Sequence, residues 1–150
     1  MGNTVSIRWG DMVVVETYLS PSMNMKNFEE ALDELERWIP QVQDKPTFVI
    51  GDFNDKTHMW QSRTTDLRGI QVAEWASRLG MYCLNHGGKN TCVRVNGKSI
   101  IDMTFANPLA ASRVTHWTVS DKETKSDHRY IEITIRSTRM QEVTHKVSSW

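Results

Sequence analysis

A chain of 150 residues is one domain's length, long enough to bury roughly two-thirds of the surface its unfolded chain exposes. Eighteen basic residues balance eighteen acidic ones, which excludes an overall basic nucleic-acid clamp and an acidic tail. Attraction to a polyanion must then come from a local patch or a bound cation.

In chain order, Val5–Trp9 and Met12–Leu19 are β-rich runs around Gly10-Asp11 and read as a hairpin, closed by Ser20-Pro21-Ser22. Asn27 followed by Glu30 reads as an N-cap with its capping-box partner, and Phe28, Ala31, Leu32, Leu35, Trp38 and Ile39 follow at helical spacing up to Pro40. After Pro46, Thr47–Ile50 is a short apolar run of the kind found in buried strands, ending at Gly51-Asp52. A polar loop from Asn54 leads to Asp66, which can cap a second helix with Val72, Trp75, Ala76 and Leu79 on one face and Gly80 as its stop. Strands are expected at Met81–Leu84, Thr91–Val95, Lys98–Phe105, Val114–Val119 and Tyr130–Ile135, with Asn96-Gly97 as a hairpin turn. From Arg136 the pattern turns polar, and residues 137–150 read as a tail or linker. The succession argues an α+β fold, antiparallel sheets with helices outside them.

Cys83 and Cys92 are too few for a disulfide framework or a four-cysteine zinc site and read as reduced thiols of an intracellular protein. No apolar run approaches the roughly 18 residues of a membrane span, and Met1 to Trp9 has no signal-peptide core.

Three places can carry chemistry. In Gly51-Asp52-Phe53-Asn54, Asp52 and Asn54 lie two apart and share a side in extended chain, with Phe53 turned to the core. That pair can hold a metal, or orient a water and a phosphate oxygen; a plain Gly-Asp turn with an Asx bond is the alternative. In Ser126-Asp127-His128, the histidine is a candidate general acid or base. Asp127, pointing away from its neighbour, suits metal binding better. Asp102 is a lone carboxylate in an apolar strand, where burial is costly unless it is paired, so it is the better partner for His128; a solvated strand-end residue is the alternative. Trp60 can stack on a base or pack its loop, and Lys56, Arg63 and Arg68 can contact a phosphate backbone or be solvated charge.

An apolar strand with Asp-x-Asn, an isolated strand Asp, and Ser-Asp-His before the last strand, in this order, resemble the endonuclease/exonuclease/phosphatase, or deoxyribonuclease I-like, superfamily. The chain is most similar there to the endonuclease domain of LINE-type non-LTR retrotransposons. The stretches that carry this are Tyr18-Leu-Ser-Pro21, Gly51-Asp-Phe-Asn54 with Trp60, Asp66-Leu-Arg-Gly69, Ala73-Glu-Trp75, Ser99-Ile-Ile-Asp-Met-Thr-Phe105, Trp117-Thr-Val119 and Ser126-Asp-His128. The resemblance covers roughly residues 5–136, read as a partial domain within 1–136. It implies a two-sheet sandwich flanked by helices in four layers, α/β/β/α, and a Mg²⁺-dependent phosphodiesterase, with Mn²⁺ as substitute, that nicks DNA. It further implies that Asp52 activates the water or protonates the leaving oxygen, and that Asn54 orients the water. His128, oriented by Asp102, binds the phosphate or acts as base; Asp127 helps hold the metal, and Tyr18 is an active-site tyrosine or a core one. DNA, a downstream reverse-transcriptase domain and a nuclear location are the expected surroundings. A catalytically inactive binding module and a small-molecule phosphoesterase are the other readings.

The family's N-terminal part, with an Asn-bearing strand and a metal-binding Glu, has no counterpart before Val5. Glu16 shares a face with Tyr18 but does not match that Glu motif. An exposed sheet edge and self-association through it are therefore expected. Asp55 stands where the family carries a small residue, and its charge is expected to raise the Asp52 pKa.

Overall fold

The computed structural model describes residues 3–57, 62, 64–136 and 142–148. β1 (Asn3–Trp9) and β2 (Met12–Tyr18) form the expected hairpin about Gly10-Asp11. α1 (Met25–Trp38) then crosses to β3 (Thr47–Asp52), which runs parallel to β2. The cap lies three residues before the expected one. Asn24, in extended backbone, accepts the Asn27 N–H at 2.8 Å, so Asn27 lies inside the first turn. A 3₁₀ turn over Ile39–Gln41 contains Pro40 and ends the run. α2 (Leu67–Leu79) has the predicted ends: the Asp66 side chain accepts the Gly69 N–H, and Gly80 takes a left-handed conformation.

β4 (Tyr82–Cys83), β5 (Cys92–Arg94), β6 (Gly97–Ser99) and β7 (Asp102–Ala106) follow. The expected strand Lys98–Phe105 is thus broken at Ile100-Ile101. There the hydroxyl of Thr91 accepts the N–H groups of both Ile101 and Asp102, which a regular ladder would have used. The β5–β6 turn is Val95-Asn96, one residue earlier than expected, since Arg94 pairs with Gly97. The one-turn helix α3 (Pro108–Ala111) leads to β8 (Val114–Val119) and β9 (Tyr130–Arg136). Residues 142–148, read above as tail, form β10 (Glu142–Ser148), antiparallel to β9 over seven residue pairs. The backbone edge of β9 not used by β8 supplies its partner groups, which the polar composition did not reveal.

The first sheet has the order β1-β2-β3-β7-β4, the second β10-β9-β8, and β5-β6 is a separate ribbon. α1 and α2 cover one face of the first sheet. Phe28, Leu32, Leu35, Val72 and Trp75 pack there on Val13, Val15, Val49, Phe53 and Phe105. The opposite face, with Met12, Phe48, Ile50 and Ala106, stacks on Trp117, Val119, Ile131, Ile133 and Ile135 of the second sheet. This is the α+β two-sheet sandwich expected; among the described residues, only α1 and α2 form a helical layer. β3 is buried throughout, whereas β1 is an edge strand exposed from Thr4 to Trp9, with Val5 and Ile7 more than half exposed. Among the described residues no helix is long and apolar enough to cross a membrane.

Candidate active site

The site is built where three neighbouring strands end. Tyr18 of β2 lies opposite Asp52 of β3, and Asp52 lies opposite Asp102 of β7. Strand parity continues from Phe48 and Ile50, so Asp52 belongs to the face between the sheets. Gly51 makes the row possible. Its φ is +142°, and a Cβ on it would lie 1.8 Å from the Thr17 carbonyl oxygen, so no side chain fits there.

From the second sheet, His128 reaches in just before β9. Its Nδ1 lies 2.9 and 2.8 Å from the two oxygens of Asp102. An ionised carboxylate only accepts, so Nδ1 carries the hydrogen and Nε2 is turned to the other carboxylate. Nε2 is 3.7 Å from Asp52 Oδ2, too far for a direct hydrogen bond. All three side chains are buried, and their ligand atoms lie within 4.8 Å of one another. The hydrogen bond to Asp102 raises the His128 pKa, against the opposing effect of burial. Burial, and after it the Asp102 charge, push Asp52 up to about 6, partly offset by the Asn54 N–H and the His128 charge.

Asp55 is not what raises Asp52, contrary to expectation. It is fully buried, and neither of its carboxylate oxygens has a hydrogen-bond partner. Burial and the Asp66 charge push its own carboxyl well above the usual range.

Asn54 takes the Asx-turn geometry in place of the extended backbone expected. It has φ +46°, and its N–H donates to Asp52 Oδ1 at 2.9 Å, the Asx bond; its side-chain amide donates to the Leu19 carbonyl at 2.8 Å. Tyr18 is half-buried at its strand end. Glu16 is half-buried on the same face of β2, where burial raises its carboxyl pKa, and lies outside the Asp52–Asp102–His128 cluster. Asp127 also lies outside it. Its carboxylate stands 3.5 Å from Arg94 Nε and is largely in solvent.

Arg68 does not reach out to a phosphate. It is buried, stacks on the Phe28 ring at 4.6 Å, and donates to the carbonyls of Ser20, Pro21 and Met23. That bonding fixes the chain leaving β2 and corrects the nucleic-acid role suggested above. Lys56 is exposed, its backbone bonded to Asp66 on both sides. Trp60 and Arg63 lie outside the described residues.

Sequence reading missed the supports. Besides its two N–H bonds near Asp102, Thr91 accepts through its carbonyl from the Arg129 N–H. Asn85 donates to the Asp102 carbonyl and accepts from the Thr104 N–H, extending the short β4 with a side chain. Cys92 is bridged to His128, and Thr124 and Ser126 hold the His128 backbone. The available signal was position only: polar residues immediately flanking the strands that carry the site.

The solved endonuclease domain of TRAS1, a telomere-specific non-LTR retrotransposon, superposes with a TM-score of 0.74 at 27% identity, covering 89% of this chain and 60% of that one. A 3′ phosphatase from Neisseria, solved with a product DNA hairpin, shares the fold with a TM-score of 0.67 at 15% identity, over 88% of this chain and 64% of that one. The chain thus spans less than two-thirds of either structure. A 45-residue stretch is 36% identical to an uncharacterized Caenorhabditis elegans protein, over 29% of this chain and 14% of that protein. The family described as endonuclease–reverse transcriptase matches residues 12–132, which take in Tyr18, Asp52, Asn54, Asp102 and His128. On this match the chain belongs to the endonuclease–reverse transcriptase family, within the superfamily of nucleases and phosphatases that its fold shares.

Proposed function

We propose that the chain is a metal-dependent phosphodiesterase that nicks DNA by attack of water on a phosphodiester. The observation that carries this is the buried Asp52–His128–Asp102 constellation at adjacent strand ends. A histidine held by one carboxylate and facing a second is suited to moving protons about a reacting oxygen.

The donor chemistry fits a hard cation. Asp52 has one oxygen on the Asn54 N–H and the other toward His128 at a non-bonding distance, so that second oxygen can serve a ligand. Asp102 is used on both oxygens by His128 and serves as the orienting group. Mg²⁺, or Mn²⁺ in its place, takes one or two carboxylates and completes its shell with water and phosphate oxygens, so Asp127, once released from Arg94, would hold it while the open oxygen of Asp52 serves the water. Such a cation supplies charge neutralisation on the phosphate and the departing oxygen.

The chain's own groups do the rest. Asp52, ionised above about pH 6, accepts a proton of the attacking water, whose oxygen forms the new bond to phosphorus. His128, whose pKa the hydrogen bond to Asp102 raises, donates its Nε2–H in the protonated form to the phosphate oxygen that gains charge. Asn54, its side-chain amide also bonded to the Leu19 carbonyl, orients the water through the amide oxygen, and Tyr18 borders the phosphate. The P–O bond to the 3′ oxygen breaks, and the departing oxygen takes a proton from a solvent water, leaving a 3′ hydroxyl and a 5′ phosphate. Lys56, with Trp60 and Arg63, contacts the DNA flanking the cut. A reverse-transcriptase module on the same polypeptide, a nuclear location, and self-association through the β1 edge belong to the same reading.

The test is nicking of supercoiled plasmid with Mg²⁺, with and without chelator, by the parent chain, Asp52→Ala and His128→Ala. Nicking by the parent alone, abolished by chelator, is expected. Folded parent protein that leaves the plasmid intact would turn the reading to a binding module without catalysis.

A further inference from the structure

We propose that Arg94 is a phosphate-contacting residue of this site, held on Asp127 in the free protein and transferred to a non-bridging oxygen of the scissile phosphate when DNA is bound. This rests on the phosphodiesterase reading above.

Three observations lead to it. The first is placement. Cys92 is bridged to His128, and the Val93 N–H donates to the Asp127 carbonyl at 2.8 Å, so the end of β5 is fastened to the segment that carries the histidine. Arg94 is the next residue, and it points to Asp127. The second is charge. Arg94 brings a permanent positive charge to the segment that carries His128, whose chain neighbour Asp127 is its ion-pair partner. The third is availability. The Arg94–Asp127 contact is 3.5 Å, with both side chains more than half in solvent, which is the weak, screened kind of ion pair that exchanges readily.

The site needs such a group. A phosphodiester gains negative charge as water adds to phosphorus, more than one cation's worth of contacts can share. A guanidinium offers paired N–H donors that match two phosphate oxygens, which a lysine ammonium cannot do. The exchange also leaves Asp127 free to serve a cation.

The experiment compares the parent, Arg94→Ala and Arg94→Lys in plasmid nicking at saturating protein, alongside fluorescence anisotropy on a short duplex. Arg94→Ala is expected to nick about 10- to 100-fold more slowly. Its affinity for the duplex should stay within about twofold of the parent's, as one phosphate contact among many allows. Arg94→Lys should fall between the two, and added guanidinium ion should restore part of the Arg94→Ala rate. A purely structural role would give no such rescue. Arg94→Ala nicking at the parent rate would overturn the inference and leave the phosphodiesterase reading intact. Nicking and duplex affinity lost in equal proportion would also overturn it, making Arg94 an ordinary groove contact. A folded parent that does not nick would sink the phosphodiesterase reading, and this role with it.

Discussion

Asp102 and Asp55 are both buried carboxyls, each close to Asp52, and they are held in opposite ways. Asp102 has His128 on both oxygens, its own N–H on Thr91 and its carbonyl on Asn85. Asp55 has no hydrogen-bond partner on either oxygen. This fold directs its polar bonding to one carboxylate and leaves the other without partners, so that burial drives its pKa up. A buried charge persists only where a partner offsets the loss of water.

The largest effect is expected where the paired carboxylate is altered without changing its shape. Asp102→Asn can hold the imidazole in the wrong tautomer, and nicking should fall by about 10² to 10⁴, read from single-turnover rates. A smaller effect follows from making Asp102 resemble Asp55. His128→Ala strands it, and stability in urea should drop by about 3 kcal/mol, with partial recovery when Asp102→Asn is added. Full stability of His128→Ala would show that the pair contributes nothing to the fold.

Next comes the unpaired member. The folded-state pKa of Asp55 lies above its unfolded value, so the folded state binds more protons and stability falls as pH rises from about 4 through that folded pKa. In chelator, Asp55→Asn should flatten this slope and gain about 1–3 kcal/mol at the alkaline end, against little change at the acid end. Parallel pH curves for parent and variant would refute the account. The smallest effect belongs to the support. Thr91→Val removes the acceptor for two N–H groups and should lower stability by about 1 kcal/mol and nicking only severalfold.

Much of this was legible in the chain. Asp66 and Gly80 bound α2 as their chemistry requires, and the apolar run before Asp52 identified the central strand. Asp102 could be matched to His128 because a lone carboxylate in an apolar strand needs a partner. What stayed hidden depends on contacts distant in sequence. Thr91 breaks the strand before Asp102 by competing for two N–H groups. Arg68 looks like any first-turn helix cation until its carbonyl partners, 45 to 48 residues earlier, are in place. β10 is polar, and its strand state comes from the ladder with β9, which single-strand composition does not record. Asp55 was read as a neighbour of Asp52 along the chain, yet its surroundings are set by the fold behind it.

The position of the site within the first sheet has a consequence for motion. β3 is buried along its whole length between β2 and β7, while β1, at the rim, has solvent on the residues from Thr4 to Trp9. Amide protons should therefore exchange with deuterium soon at the rim and only on wide opening at β3. Asp52 is carried by the slow-exchanging strand. Fraying of β1 can proceed while β2 and the distance between His128 and its two carboxylates hold, so loss of the rim and loss of the site should be separate events in time.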